Sequence, residues 1–229
     1  MNGAIAIFVK TPGFSAVKSR LADERGEHYA LDWYAQAAAA VASVARLAQA
    51  RFGVTAYWAV AERAALHAWP GLPVLEQGEG DLGTRMAHVH VQLVERHGAG
   101  LLLGADAPQL TAHLLGEAIA WVSAPPPRLV LGPATDGGFW LFGGNVTPAL
   151  SAWTSVRYSA ISTAHDLVES MQDIGEWLTL ATLTDVDHAR DLHSVLHALE
   201  ALPEPTSEQR ALAARMREHE ASPSVDRST

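Results

Sequence analysis

Short apolar runs alternate with helical patterns along most of this chain, and glycine, proline or aspartate closes most of the runs. The runs Ala4–Val9, Val54–Val60, Leu101–Gly104, Leu129–Leu131, Phe139–Phe142 and Leu178–Leu183 predict strands. Helical periodicity is expected over Gly26–Arg51, Leu82–His97, Ala112–Val122, Ser159–Met171 and Ala189–Leu199. Alternation of this kind predicts an α/β domain, a mostly parallel sheet with helices on both faces. The 229 residues suffice for one substantial domain. After Leu202 the composition turns polar, so the expected division is a domain over 1–202 and a polar helix with a frayed tail over 203–229, outside the catalytic core.

Composition narrows the chemistry. A hydrophobic fraction of 48% with 18% charged residues describes a soluble globular chain with a good core. There are no cysteines, which excludes disulfides, thiolate zinc sites and cysteine nucleophiles. The net charge of -9 without a basic stripe argues against nucleic acid as a partner. The N-terminal apolar run is too short and lacks a basic lead-in for a secretory signal. Ala35–Ala50 is too short to span a membrane and is broken by Gln36, Ser43, Arg46 and Gln49. No membrane association and a cytoplasmic location are the resulting expectations.

Ligands of open parallel sheets bind beyond the carboxyl ends of the strands, so the strand exits are where site residues should sit. The first run enters KTPGFSAVKSR, which holds both lysines of the chain, Lys10 and Lys18, together with Arg20; no acid precedes Asp23. A strand, a Gly/Pro loop with fixed cations and a helix form a seat for phosphate oxygens. The loop matches neither GxxxxGKS/T nor GxGxxG. Acids stand at three other exits: Asp106 in LLLGADAP, Asp136 in LGPATDGGFW, and Asp185 and Asp187 in LTDVD. Magnesium takes hard oxygen ligands, and Asp106 with one of Asp185 or Asp187 could supply them from separate strands. A helix N-cap is the competing role for an aspartate at such a place. In EQGEGDLGTRM, Gln77 could read the edge of a base. Trp140, just after the DGG turn, is expected at a pocket wall.

Other clusters carry less weight. His193 and His197 lie four apart on an expected helix with no third ligand near in sequence, which favours a surface pair. His88 and His90 would not face each other on a helix. Ser159, His165 and Asp166 lack a nucleophile elbow.

The blocks FVKTPGFSAVKSRLA, QGEGDLGTRM, LLLGADAPQL, VLGPATDGGFWLFG and LTDVDHARDL, in that order over roughly residues 3–200, resemble those of bacterial glycosyltransferase-A-like proteins. These are similar to the guanylyltransferase that activates phospholactate in deazaflavin coenzyme synthesis. The resemblance implies a three-layer α/β/α nucleotide-diphospho-sugar transferase (GT-A, Rossmann-like) fold with a mostly parallel mixed sheet. It also implies a metal-assisted nucleotide reaction with Mg2+ or Mn2+. By position, Lys10, Thr11, Pro12 and Gly13 would bind the nucleotide, with Lys18 and Arg20 on its phosphates. Gln77 and Gly83 would lie near the base, Asp136, Gly137, Gly138 and Trp140 on the acceptor side, and Asp106 and Asp187 at the metal. The chain departs from the family pattern at Ser19, Phe139-Trp140 and His188, and Ala105 leaves no DxD at the fourth strand.

Three functions compete at this level. The first is a nucleotidyltransferase joining a nucleotide unit from a nucleoside triphosphate to a small phosphorylated or carboxylated acceptor, with Lys18, Arg20 and Asp106 as its catalytic residues. Lys18 and Arg20 favour it, because a leaving pyrophosphate needs more positive charge than a nucleoside diphosphate. The second is a glycosyltransferase using a nucleotide sugar, and the third a nucleotide-binding protein without turnover. Neither base, acceptor nor oligomeric state is legible.

Overall fold

A computed structural model describes residues 3–221. Its centre is a seven-stranded sheet in the order β3-β2-β1-β4-β6-β5-β7. The strands are β1 (Ala4–Val9), β2 (Thr55–Val60), β3 (Val74–Glu76), β4 (Gly100–Gly104), β5 (Arg128–Pro133), β6 (Phe139–Gly144) and β7 (Glu176–Thr179). All neighbouring pairs are parallel except the two made by β6, which runs antiparallel between β4 and β5. The reversal is local: β5 and β6 form a hairpin across Ala134–Gly138, where Ala134 N–H donates to Gly138 O at 2.9 Å. The result is the mixed, mostly parallel α/β sheet that the sequence predicts.

The helices are α1 (Ser19–Arg25), α2 (Glu27–Phe52), α3 (Leu82–His97), α4 (Ala112–Val122), α5 (Leu150–Thr154), α6 (Thr163–Met171), α7 (Ala189–Glu200) and α8 (Ser207–Ala221), with a 3₁₀ turn at Arg63–Ala68. Alternation along β1 sorts its side chains between two apolar layers. Ile5, Ile7 and Val9 enter one with α2, α4, α7 and α8, while Ala4 and Ala6 enter the other with α3, α5 and α6. Alanines at 37, 38, 40, 42, 45 and 48 let α2 lie close against its neighbours, and all six are fully buried. Asp81 caps α3 by accepting from Thr84 N–H at 2.8 Å, and Thr111 caps α4 by accepting from Leu114 N–H at 3.2 Å. Among the described residues no helix is long and apolar enough to cross a membrane.

Several boundaries differ from expectation for local reasons. The expected helix over Ser159–Met171 begins at Thr163, because Ser159 is held at φ 59° and Thr163 Oγ1 accepts from Ala160 N–H. The last strand is Glu176–Thr179, not Leu178–Leu183, and Leu183 makes only an isolated bridge to Ala134. The three-residue β3 and the short α1 and α5 lack enough period to stand out in sequence. The helix expected after Leu202 is α8, and it is continuous with the core layer: Leu212, Ala213 and Met216 are buried in the cluster that holds β1 and α2. Gln209, also buried, donates from Nε2 to the carbonyls of Pro108 and Leu110. The frayed tail expected beyond it, 222–229, lies outside the described residues.

Candidate active site

The loop after β1 is anchored at its root. Lys10 N–H donates to Tyr34 Oη at 3.0 Å, Thr11 N–H to Glu62 Oε2 at 2.8 Å, and Trp69 Nε1 to Thr11 Oγ1 at 2.9 Å. Thr11 O accepts from both Phe14 and Ser15, folding the chain back through Gly13 at φ 84°. The loop ends at Lys18, a non-glycine residue in the left-handed region (φ 48°, ψ 43°), from which α1 starts. Lys18 Nζ reaches Asp106 Oδ2 at 2.7 Å and Asp187 Oδ1 at 3.1 Å, while Arg20 Nη1 reaches Asp187 Oδ2 at 2.9 Å.

The acids arrive from separate strand exits. Asp106 follows β4, where a Cβ on Gly104 would come within 2.9 Å of its Oδ1. Val186 N–H donates to Asp106 O at 3.4 Å, which lays the 185–187 segment beside that exit. Asp136 Oδ1 accepts from Gly138 N–H at 2.7 Å. Asp187 N–H and His188 N–H both donate to Asp191 Oδ2, fixing the start of α7. Glu24 of α1 binds His188 Nδ1 at 2.7 Å and accepts from Ala189 N–H at 2.6 Å, so α1 is strapped to the same segment.

One carboxylate oxygen each from Asp136, Asp185 and Asp187 lies within 4.8 Å of the others. Burial pushes the Asp185 carboxyl up to about 7, and the charges of Asp106 and Asp136 add to the rise. Its Oδ1 is buried with no hydrogen-bond partner. Burial alone would raise Asp187 too, but Lys18 and Arg20 outweigh it and hold its carboxyl below the usual range. Burial would likewise lower the Lys18 ammonium, and the carboxylates of Asp106 and Asp187 reverse that, raising it. The acids exceed the cations that touch them, the donors are all oxygen, and one buried oxygen is unpaired; that set fits a hard divalent cation such as Mg2+ or Mn2+.

These groups line a cavity of about 630 Å³, within the range of small-molecule sites. Its lining combines Lys10, Lys18, Arg20 and the four acids with an apolar set, Phe8, Leu82, Met86, Phe139, Tyr158 and Ile161. The expected site residues divide between the cavity and its support. Lys10, Lys18, Arg20, Gln77, Asp106, Asp136, Gly138, Trp140 and Asp187 line the cavity, whereas Thr11, Pro12, Gly13, Gly83 and Gly137 do not. Thr11 is turned toward Glu62 and Trp69. Gly83 is a packing residue: a Cβ there would meet Trp153 O at 2.7 Å. Gly137 fits against Ile161, whose carbonyl oxygen would lie 2.1 Å from an added Cβ. Gln77 spends its amide nitrogen on the carbonyls of Val9 and Ala59, leaving only Oε1 for a ligand. Trp140 is 2% exposed and donates from Nε1 to Ala181 O at 3.1 Å, so it backs the wall more than it forms it.

Sequence reasoning missed Tyr34 and the Tyr158–Ile161 segment, both of which line the cavity. Tyr34 sits in the apolar pattern of α2 beside Trp33 and reads as core. Tyr158–Ile161 was hidden by a helical pattern that in fact starts later. Asp166 accepts from Arg157 Nε at 3.0 Å and from Ser162 Oγ at 3.2 Å, and neither it nor His165 lines the cavity with Ser159, so the triad does not form there. His193 is exposed, 3.6 Å from Glu220.

A search of curated proteins finds no match to the chain. Among solved structures, a candidate nucleotide-diphospho-sugar transferase from Desulfovibrio desulfuricans G20 superposes with a TM-score of 0.81 at 24% identity, covering 96% of this chain and 99% of that one. A nucleotidyl transferase from Methanothermobacter thermautotroptrophicus superposes at 0.53 with 14% identity, covering 88% and 100%. The 4-diphosphocytidyl-2C-methyl-D-erythritol synthase of Anaerococcus prevotii superposes at 0.52 with 8% identity, covering 86% and 96%. These likenesses establish the fold as that of nucleotidyl and nucleotide-diphospho-sugar transferases. Residues 35–160 match the family of uncharacterized proteins conserved in bacteria, DUF2064, and the chain belongs to that family.

Proposed function

We propose that the chain is a metal-dependent nucleotidyltransferase that moves a nucleoside monophosphate unit from a nucleoside triphosphate to a small phosphorylated or carboxylated acceptor, releasing pyrophosphate. The observation that carries this reading is the pairing of Lys18 and Arg20 with Asp106 and Asp187 in a cavity that Asp136 and Asp185 also line. The names of the Methanothermobacter and Anaerococcus fold neighbours point the same way. The acceptor class is taken from the motif resemblance to bacterial glycosyltransferase-A-like proteins, which are similar to the guanylyltransferase that activates phospholactate. An acceptor oxygen attacks the α-phosphorus, the bond to the bridging oxygen of the β-phosphate breaks, and pyrophosphate departs with that electron pair. Such a transfer asks a protein mainly for positioning and for charge on the departing oxygens. Lys10, Lys18 and Arg20 supply that charge from one loop. Asp136, Asp185 and Asp187, with Asp106 beside them, would hold the divalent cation, which neutralises phosphate oxygens when bound. The apolar part of the lining takes the uncharged face of the nucleoside or acceptor, and Gln77 Oε1 accepts from a base N–H.

Glycosyl transfer from a nucleotide sugar is the second reading, drawn from the name of the Desulfovibrio protein; the β4 exit, with Gly104 and Pro108 two residues either side of Asp106, holds no DxD motif, which weighs against it. The test incubates the full-length protein and Mg2+ with each nucleoside triphosphate, or with nucleotide sugars, across an acceptor panel. Pyrophosphate release supports nucleotidyl transfer. Nucleoside diphosphate release from a nucleotide sugar replaces it with glycosyl transfer. Nucleotide binding with neither product replaces both with a non-catalytic binding role.

A further inference from the structure

The Lys18 ammonium sits where an oxygen-lined cation site would place its ion. It bridges Asp106 Oδ2 at 2.7 Å and Asp187 Oδ1 at 3.1 Å, two carboxylates from different strand exits. Its side chain is only 6% exposed, whereas Arg20, on the other oxygen of Asp187, is 60% exposed. The Lys18 backbone is held in the left-handed region that a side chain disfavours, and such strain persists where the surroundings impose it. Asp187 also belongs to the cluster with Asp136 and Asp185, and both its oxygens are already engaged by Lys18 and Arg20. A divalent cation drawing on Asp187 and Asp106 therefore competes with Lys18 for the same oxygens. A phosphate chain entering the cavity competes for the same ammonium from the other side.

We infer that Lys18 is the resident cation of this site and that the ligand-bound state forms by exchange: the divalent ion takes the carboxylates and Lys18 turns to the phosphate oxygens. The polyphosphate half of this inference rests on the nucleotidyltransferase reading; the competition between Lys18 and the ion does not. Two consequences follow. The ion alone binds weakly, because it must displace a well-placed ammonium. The ion and the polyphosphate bind cooperatively, since each removes what opposes the other. The site then stays closed to bare metal and assembles only around the metal–polyphosphate pair.

The test uses the full-length protein and Mn2+ as the probe, its affinity read by electron paramagnetic resonance without nucleotide. Lys18→Met should tighten Mn2+ binding by about tenfold or more, as expected for removing a charge in contact with the ligands. Arg20→Met, which removes an exposed charge from the same carboxylate, should tighten it clearly less. Equal effects, or no gain with Lys18→Met, would overturn the exchange. Should Lys18→Met fail to fold, the wild-type protein decides the question, because the chain has only two lysines and their ε-ammonium resonances are easily assigned. The Lys18 resonance should be protected in the free protein and move on adding Mg2+ with tripolyphosphate. A resonance unmoved at saturation overturns the inference. Tighter Mn2+ binding in Lys18→Met, with no pyrophosphate release by the wild-type protein from any triphosphate, would leave the exchange standing and remove the nucleotidyltransferase reading instead. Pyrophosphate release by the wild-type protein, with Mn2+ affinity unchanged in Lys18→Met, would do the reverse.

Discussion

Single residues in this site divide by what removing them would disturb. Arg20 is 60% exposed and, among the described residues, its ion pair is with Asp187, so Arg20→Ala should change unfolding stability by no more than about 0.5 kcal/mol. Turnover should fall by roughly a hundredfold or more, the usual effect of deleting one preorganised charge partner of a transition state. Pyrophosphate release beside urea unfolding checks both halves, and near-normal turnover would remove Arg20 from the reaction. His90 is a residue of the opposite kind. It is fully buried in the aromatic cluster of Phe142 and Trp153, and burial pushes its imidazole down to about 4 from 6.5. A depressed histidine contributes stability that is present above pH 6.5 and lost as pH falls through about 4. The loss should reach roughly 3 kcal/mol at its limit, and His90→Leu should flatten this part of the acid limb. Urea unfolding at pH 7 and pH 4.5 measures it, and equal slopes in both proteins would acquit His90.

Among elements, the β5–β6 hairpin turn matters most, since it carries Asp136 into the cavity and meets the segment ahead of α6. Gly137 has φ 91°, Ala164 N–H donates to its carbonyl at 2.9 Å, and no Cβ fits between it and Ile161. Gly137→Ala should destabilise the fold by about 1–3 kcal/mol, through both the backbone conformation and the clash. It should also displace Ile161 from the cavity rim. Thermal unfolding tests the first effect, and amide exchange across 158–164 the second. A variant as stable as the parent would show that the turn yields without loss. The strap of α1 onto the start of α7 through Glu24, His188 and Ala189 is the companion element, because it holds Arg20 against Asp187.

At the scale of the whole molecule, the site hangs on a two-layer core to which the last helix contributes. Leu212 is 1% exposed, in the cluster that contains β1, α2 and α4. Leu212→Ala should cost about 2–5 kcal/mol, as for other buried leucines, although α8 lines no part of the cavity. Urea unfolding tests this; a loss below about 1 kcal/mol would make α8 an appendage after all. The stacked layers also explain why the acids converge. The four carboxylates come from three strand exits, those of β4 and β5 and the segment after β7. These strands run in one direction, with only β6 reversed between β4 and β5, so they end on the same edge of the sheet.

By itself, the sequence determined the alternation of strands and helices, the edge on which the site lies, and the residue types on that edge. These are local properties: side-chain period, Gly/Pro breaks, and charges placed directly after apolar runs. The burial of α8 came from pairing with distant segments, while the antiparallel entry of β6 and the start of α6 at Thr163 came from local turns that the apolar period does not show. Tertiary structure alone decided which charges touch. Nothing in KTPGFSAVKSR shows that Lys18 lies on Asp106 and Asp187 while Lys10 does not, since those contacts span 88 and 169 residues. Nor does LTDVD show that Asp185 carries a buried, unpaired oxygen and that Asp187 is the neutralised carboxylate. A short loop fixes how much charge is present. Its partners depend on sub-ångström to ångström placements made by the whole core, and no local pattern encodes them.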